Sequence, residues 1–318
     1  MWEEHRAYLK VAKNYQFLAV DTESDGLNGR ILGISIAFNN VAGMYYPIGH
    51  LYNDNCPPDI LEELREFLER HTGLIFHNAK HDLEVLERSG FKLNNNYYCT
   101  MMMYHFVHEN FPKDLTSVSK FYGGEPKERP KAMSAAIAAH GWGKLPHFLT
   151  KDYAAHDAKI TSGIFDKLKP EFDAEFKPDL WEYEKDFIDV MRNIERAGIK
   201  IDRDLCRIQA ITGQEVMEEI VDEIGWIPSS SLDLNKFLIE DMDFPIVKLT
   251  PKGKPSFDKT AMEEYDILLE NAKSPVAKQV LRYRGWLKTV SSNYNPYLLL
   301  ADANDILHPN FKLHGTKT

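Results

Sequence analysis

The chain has 318 residues, more than one ordinary core organises, and its 43% apolar and 12% aromatic content excludes a disordered polymer. Against 38 basic residues stand 48 acidic ones, a formal charge of −10; the three cysteines (Cys56, Cys99, Cys206) are scattered and odd in number, which argues against a disulfide scaffold or a C-x-x-C zinc site and fits a reducing compartment. The opening Met1-Trp2-Glu3-Glu4 lacks a secretory signal, and the uncharged stretch 31–53 is interrupted by glycines, asparagines and Pro47, so the expectation is a cytoplasmic protein with no membrane partner.

In chain order, FLAVD (17–21) is a short apolar strand ending in a carboxylate. Residues 31–38 and 41–47 are β-rich runs joined by the turn signal Asn39-Asn40. Residues 58–71 place Ile60, Leu61, Leu64, Phe67 and Leu68 on one helical face behind Pro57-Pro58. Residues 74–77 form another strand, followed by a helix over 79–88 that stops near Gly90. A hairpin followed by alternating helices and strands predicts a mixed α/β sheet. Residues 122–146, rich in Gly, Pro and Lys, read as a loop excursion, and 150–168 as a helix. Beyond Pro178 the pattern is mainly helical. Leu180, Tyr183, Phe187, Val190, Met191 and Ile194 make an apolar stripe, Asp202 caps a second helix, and Ser231 or Asp233 a third. Pro275 opens a long helix to about Ala301. The expected division is 1–175 and 176–318.

Charge is uneven along the chain. The 171–243 stretch is strongly acidic, whereas 248–288 holds nine Lys/Arg against five acids. That basic stretch is a candidate phosphate-contacting surface, with Lys252, Lys254, Arg282, Arg284 and Lys288 as its members; a solvated helix face accounts for them equally well.

Chemistry concentrates in three places. Asp21 and Glu23 alternate at the end of the first strand and so share a side of it. Asn78 and Asp82 are four apart after the 74–77 strand, and Tyr153 and Asp157 are four apart on a predicted helix. Alone, each has a bland reading as a cap or a surface pair. Together they supply four carboxylates and a phenol at what an α/β sheet brings to one edge. Such a cluster needs divalent cations to offset its repulsion, and all-oxygen ligands suit Mg²⁺ or Mn²⁺.

LAVDTESDGL, LIFHNAKHDLEVL and YAAHDAKIT resemble the three exonuclease motifs of the DEDD nucleases, tyrosine subclass, and within it the proofreading domain of family A DNA polymerases. The resemblance continues through DVMRNIERAGIKID and VAKQVLRYRGWLKTVSSNY, similar to the helix after the exonuclease domain and to the thumb. It implies an RNase H-like mixed-sheet domain over 1–175, then a mainly helical thumb-like region and the start of a palm over 176–318. It also implies two-metal 3′–5′ hydrolysis of DNA ends in replication. Asp21 would bridge two cations, Glu23 and Asp157 complete the tighter one, Asp82 act on the second, and Tyr153 orient the attacking water. Leu27, Asn78 and Thr22 would contact the 3′ nucleotide. The implied partners are a single-stranded or frayed DNA 3′ end, a primer–template duplex, and a separate chain carrying palm and fingers. The setting would be a bacterial cytoplasm, or that of the host if phage-encoded. The family's polymerase carboxylates lie beyond the last motif matched, so polymerisation is not expected of these residues alone. Two departures stand out: His81 where tyrosine is common, and Cys99-Thr100-Met101 where Asp-Thr-Met is common. The alternatives are an RNase D-like ribonuclease and a non-catalytic DNA-binding or scaffold subunit.

Overall fold

A computed structural model describes residues 2–25, 29–51, 55–94, 96–124, 131–271 and 274–315. Helix α1 (Trp2–Ala12) precedes three antiparallel strands, β1 (Leu18–Ser24), β2 (Ile31–Ala37) and β3 (Gly43–Pro47). Then come α2 (Pro58–Arg70), β4 (Leu74–Phe76), α3 (Ala79–Arg88), β5 (Tyr97–Cys99), α4 (Thr100–Val107) and α5 (Leu115–Phe121). The strands form one sheet in the order β3-β2-β1-β4-β5, antiparallel on the hairpin side and parallel from β1 to β5. All seven residues of β2 are buried, as expected of a strand covered on both faces.

Residues 131–146 depart from the expected loop. Lys131–His140 forms α6, and a 3₁₀ turn follows at Trp142–Lys144. KAMSAAIAAH is alanine-rich and closed by Gly141 at φ 79°, so local propensity overrides the Gly/Pro/Lys-rich surroundings. Helix α7 (His147–Glu175) follows, and it contacts β1, β2 and β3. Phe165 fastens it, its ring 4.9 Å from Phe17 and 5.2 Å from Tyr98.

Helix α8 (Pro178–Ala197) buries a face other than the expected one. Trp181, Lys185, Ile188 and Arg192 point inward, while Tyr183, Phe187, Val190 and Ile194 are exposed. The inward face carries its own polar partners. Trp181 Nε1 donates to Tyr97 O at 2.8 Å, and Arg192 meets Glu87 at 2.7 Å and Asp189 at 3.0 Å. Packing thus groups the chain through Ile194, together with the segment from Phe311, into one compact unit. The sequence reading opens the second region at 176.

The second unit runs from Glu195 to Asn310. It holds β6 (Ile199–Lys200), α9 (Arg203–Ile224), α10 (Ser231–Asn235), α11 (Lys259–Asn271), α12 (Val276–Thr289), α13 (Asn295–Leu300) and β7 (Ile306–Leu307), which pairs with β6. A π turn extends α10, and another joins α12 to α13, so the helix expected from Pro275 runs on in three pieces. Asp202 caps α9 by accepting from Leu205 N at 2.9 Å. Ser230, one residue before the expected cap, accepts from Asp233 N at 3.2 Å. The unit's core is Leu234, Leu238, Met262, Tyr265, Leu269 and Val280 with their neighbours. Arg203 ties α9 to the end of α13, donating to Leu298 O, Ala301 O and Asp302 O. Among the described residues, no helix is long and apolar enough to cross a membrane.

Candidate active site

An extended strand sends alternate side chains to opposite faces, so β1 presents Asp21 and Glu23 on one side and Thr22 on the other. Pairing with β2 sets the register: Asp21 lies opposite Ser35 and Glu23 opposite Gly33. Helix α7 brings Asp157 to the same side. One carboxylate oxygen from each of Asp21, Glu23 and Asp157 lies within 4.8 Å of the others. Asp157 is buried, and Asp21 and Glu23 are half-buried. Three carboxylates so close repel one another unless a cation sits among them. Their donor set is all oxygen, which fits Mg²⁺ or Mn²⁺ better than a thiophilic metal.

Asp82 stands outside this triad. It sits in the first turn of α3, and its Oδ1 accepts from Thr22 N at 2.9 Å and from Thr22 Oγ1 at 2.8 Å. Burial pushes its carboxyl pKa up, against the lowering effects of His81 and the Thr22 bonds. Thr22, expected at the substrate, is instead buried with its hydroxyl donated to Asp82. The fourth acid is therefore linked to the triad through the residue between Asp21 and Glu23.

The entry to α3 is held without the side-chain cap that Asn78 offered in the sequence. Asn78 is exposed, makes no capping bond, and has φ 151° and ψ 57°, a strained backbone of the kind that costs about 1–3 kcal/mol. The first amide of α3, Ala79 N, donates instead to Cys99 Sγ at 3.4 Å. Burial pushes that thiol up to about 11, so it serves as a neutral acceptor where the resembled family carries a carboxylate.

Tyr153 lies one turn before Asp157 on α7 and is buried in a small cluster with Leu32, Tyr45 and Trp142. Its ring centroid is 5.8 Å from that of Trp142. Sequence reasoning missed the neighbours that steady it. His50 Nδ1 lies 2.8 Å from Leu145 O, which can only accept, so this nitrogen donates. Nε2 then accepts from Tyr45 Oη at 2.7 Å. This chain of bonds joins β3 to the segment entering α7. Burial, with smaller contributions from the charges of Glu23 and Asp21, raises the Tyr45 pKa. Tyr45 also lies over Gly33, where an added Cβ would stand 2.1 Å from its hydroxyl. No local spacing announces this arrangement, since His50 and Leu145 are 95 residues apart. Leu27 lies outside the described residues.

In the second unit, Lys252 and Lys254 are exposed in a turn closed by Thr250 N donating to Lys254 O at 2.7 Å. Arg282 and Lys288 are exposed on α12. Arg284 is half-buried and donates to Phe257 O, which gives it a structural task.

A profile of the 3′–5′ exonuclease family of A-type DNA polymerases matches residues 3–173. DNA polymerase I of Borreliella burgdorferi is 25% identical over 96% of this chain and 34% of its own length. The DNA polymerase DpoZ of Salmonella phage PMBT28 is 24% identical over 94% of this chain and 50% of its own. The chain thus spans between a third and a half of these relatives. Among solved structures, the POL domain of Pol1 from M. smegmatis, in complex with DNA primer-template and dNTP, matches with a TM-score of 0.64. That match covers 95% of this chain and 50% of the other at 16% identity, a likeness of fold.

Proposed function

The chain belongs to the 3′–5′ exonuclease family of A-type DNA polymerases, and from that premise we propose that it removes nucleotides from DNA 3′ ends as a proofreading activity. The observation carrying this reading is the gathering of Asp21, Glu23 and Asp157 within 4.8 Å. Two divalent cations, Mg²⁺ or Mn²⁺, would supply acidification of the attacking water and neutralisation of charge at the scissile phosphate. Asp21, Glu23 and Asp157 would hold the tighter cation, with Asp21 shared between both, and Asp82 would serve the second, oriented by its two bonds from Thr22. Tyr153, packed against Trp142, would direct its phenol toward the water and fix the line of attack. Asn78, exposed and strained beside Asp82, and Leu27 would contact the terminal nucleotide.

Relatives that are DNA polymerases along nearly the whole chain favour DNA over an RNase D-like choice of RNA. In the second unit, Lys252, Lys254, Arg282 and Lys288 would meet the backbone of a primer–template duplex. The exposed stripe of α8 (Tyr183, Phe187, Val190, Ile194) supports docking of palm and fingers, on a separate chain or in a longer protein. The setting would be the cytoplasm of a bacterium or of a phage-infected host.

The test is release of mononucleotides from matched DNA and RNA strands with Mg²⁺ or Mn²⁺. Asp21→Ala and Asp157→Ala should each lower the rate by at least about 10³-fold, as expected when a metal-site carboxylate is lost, while circular dichroism stays native. Near wild-type turnover in either variant would refute the metal site. Faster cleavage of RNA than of DNA would return the RNase D-like reading.

A further inference from the structure

One cavity of the first unit lies away from the carboxylates. It has a volume of about 420 Å³ and sits between the flank of α7, the end of α5 and the β2–β3 turn. That turn is at the far end of β1 from the active site, because Ala37 of β2 pairs with Ala19 while Gly33 pairs with Glu23. Helix α7 spans both places, carrying Asp157 to the carboxylates and Lys159 and Lys167 to the cavity. The lining also includes His156, Asn40 and Ser119 as polar groups and Ile160 and Ile164 as an apolar wall; among the described residues it contains no Asp or Glu. Nearby Glu171 is engaged elsewhere, accepting from Tyr122 Oη at 2.6 Å and lying 3.0 Å from His108 Nε2.

Cations, neutral polar groups and an apolar wall match a nucleotide: phosphate, sugar and base in turn. The spacing of the two lysines along α7 accommodates more than one phosphate. Lys159 and Lys167 are eight residues apart, about 12 Å of helix rise, room for two phosphates along one flank of α7. Lys167 Nζ, which donates to Tyr122 O, keeps further N–H donors for a phosphate. The Lys159 stem is anchored across Gly43, where an added Cβ would lie 2.9 Å from its Cγ. We propose that this cavity is a subsite for single-stranded nucleic acid, with two backbone phosphates at Lys159 and Lys167 and a base against Ile160 and Ile164. That the strand is the exonuclease's own substrate rests on the function proposed above; the binding itself does not.

The test uses the full chain in EDTA, with a fluorescein-labelled oligothymidylate followed by anisotropy between about 50 and 200 mM salt. The double variant Lys159→Ala/Lys167→Ala should bind roughly tenfold more weakly at the lower salt. Its log–log salt slope should fall in magnitude by about 1.4, two phosphates at about 0.7 each. Lys159→Gln/Lys167→Gln, which keeps more of each stem, should behave alike with an unchanged melting temperature. Hydrolysis of thymidine 5′-(p-nitrophenyl phosphate), a substrate confined to the carboxylates, should stay at the wild-type rate in both variants. Unaltered affinity and slope would overturn the subsite. So would loss confined to the alanine variant, which marks packing, or competition by dTMP as strong as by the unlabelled oligonucleotide, which marks a mononucleotide pocket. Should the wild type fail to cleave the ester while the slope falls as expected, the exonuclease reading fails and the subsite stands.

Discussion

The two compact units place opposite kinds of residue where they cost most. The first buries acids: Asp82 is 4% exposed and Asp157 2%. The second exposes aliphatics, with Ile208 and Ile211 on α9 and Leu299 and Leu300 on α13 more than half accessible. Desolvated carboxylates are tolerated only where neighbours or a cation compensate them, and in the first unit a strand register supplies that precision. Broad apolar exposure is tolerated where another surface is to cover it. Apolar exposure occurs in both units, on α8 in the first and on α9 and α13 in the second; what sets the first apart is the burial of its acids on a sheet.

Glycine substitutions attack this contrast most directly. Gly33→Ala would set a Cβ 2.1 Å from the Tyr45 hydroxyl, opposite Glu23, so we expect about 1–3 kcal/mol of lost stability in denaturant titration. A fall in nuclease rate of roughly tenfold or more should accompany it, since small misplacements of catalytic groups cost about that much. Gly213→Ala in α9 would meet Val290 Cγ2 at 2.6 Å and Trp286 at 2.7 Å, and should destabilise the second unit by a similar amount. Hydrolysis of the small nitrophenyl ester should nonetheless persist below the melting transition. Equal loss of ester hydrolysis in both variants would erase the division of labour.

Thr22→Val probes the same site more gently. It removes the hydroxyl bond to buried Asp82 but leaves the backbone one, so about 1 kcal/mol of stability should be lost, with a reduced kcat at unchanged KM. Thr22→Ser should restore both; failure of that rescue would show that Thr22 acts by packing alone.

A pH dependence tests the desolvated acids of the first unit in another way. Burial raises the Glu184 carboxyl to about 7 from 4.5. A folded-state pKa above the unfolded value means that the native state binds the extra proton. Stability from this group is therefore present below about 4.5 and lost as pH climbs toward 7. Glu184→Gln should melt higher than wild type at pH 8 and close to it at pH 4; a constant difference across that range would assign the effect to packing.

Much of the catalytic unit was legible because its signals are local. Strand β1, the 58–70 and 79–88 helices and the Asp202 cap follow from periodicity and capping residues, and the three motifs carried the family resemblance. Helix α6 was missed because the composition of a long window hid an alanine-rich core.

Sequence by itself determined which residues can ligate, where strands and helices begin, and that Asp21 and Glu23 share a side, since each depends on neighbours within a few positions. Tertiary structure alone decided which face of α8 turned inward, that Thr22 serves Asp82, and that His50 bonds Leu145. Those outcomes rest on groups dozens of residues apart, whose partners and burial exist only once the chain has closed on itself.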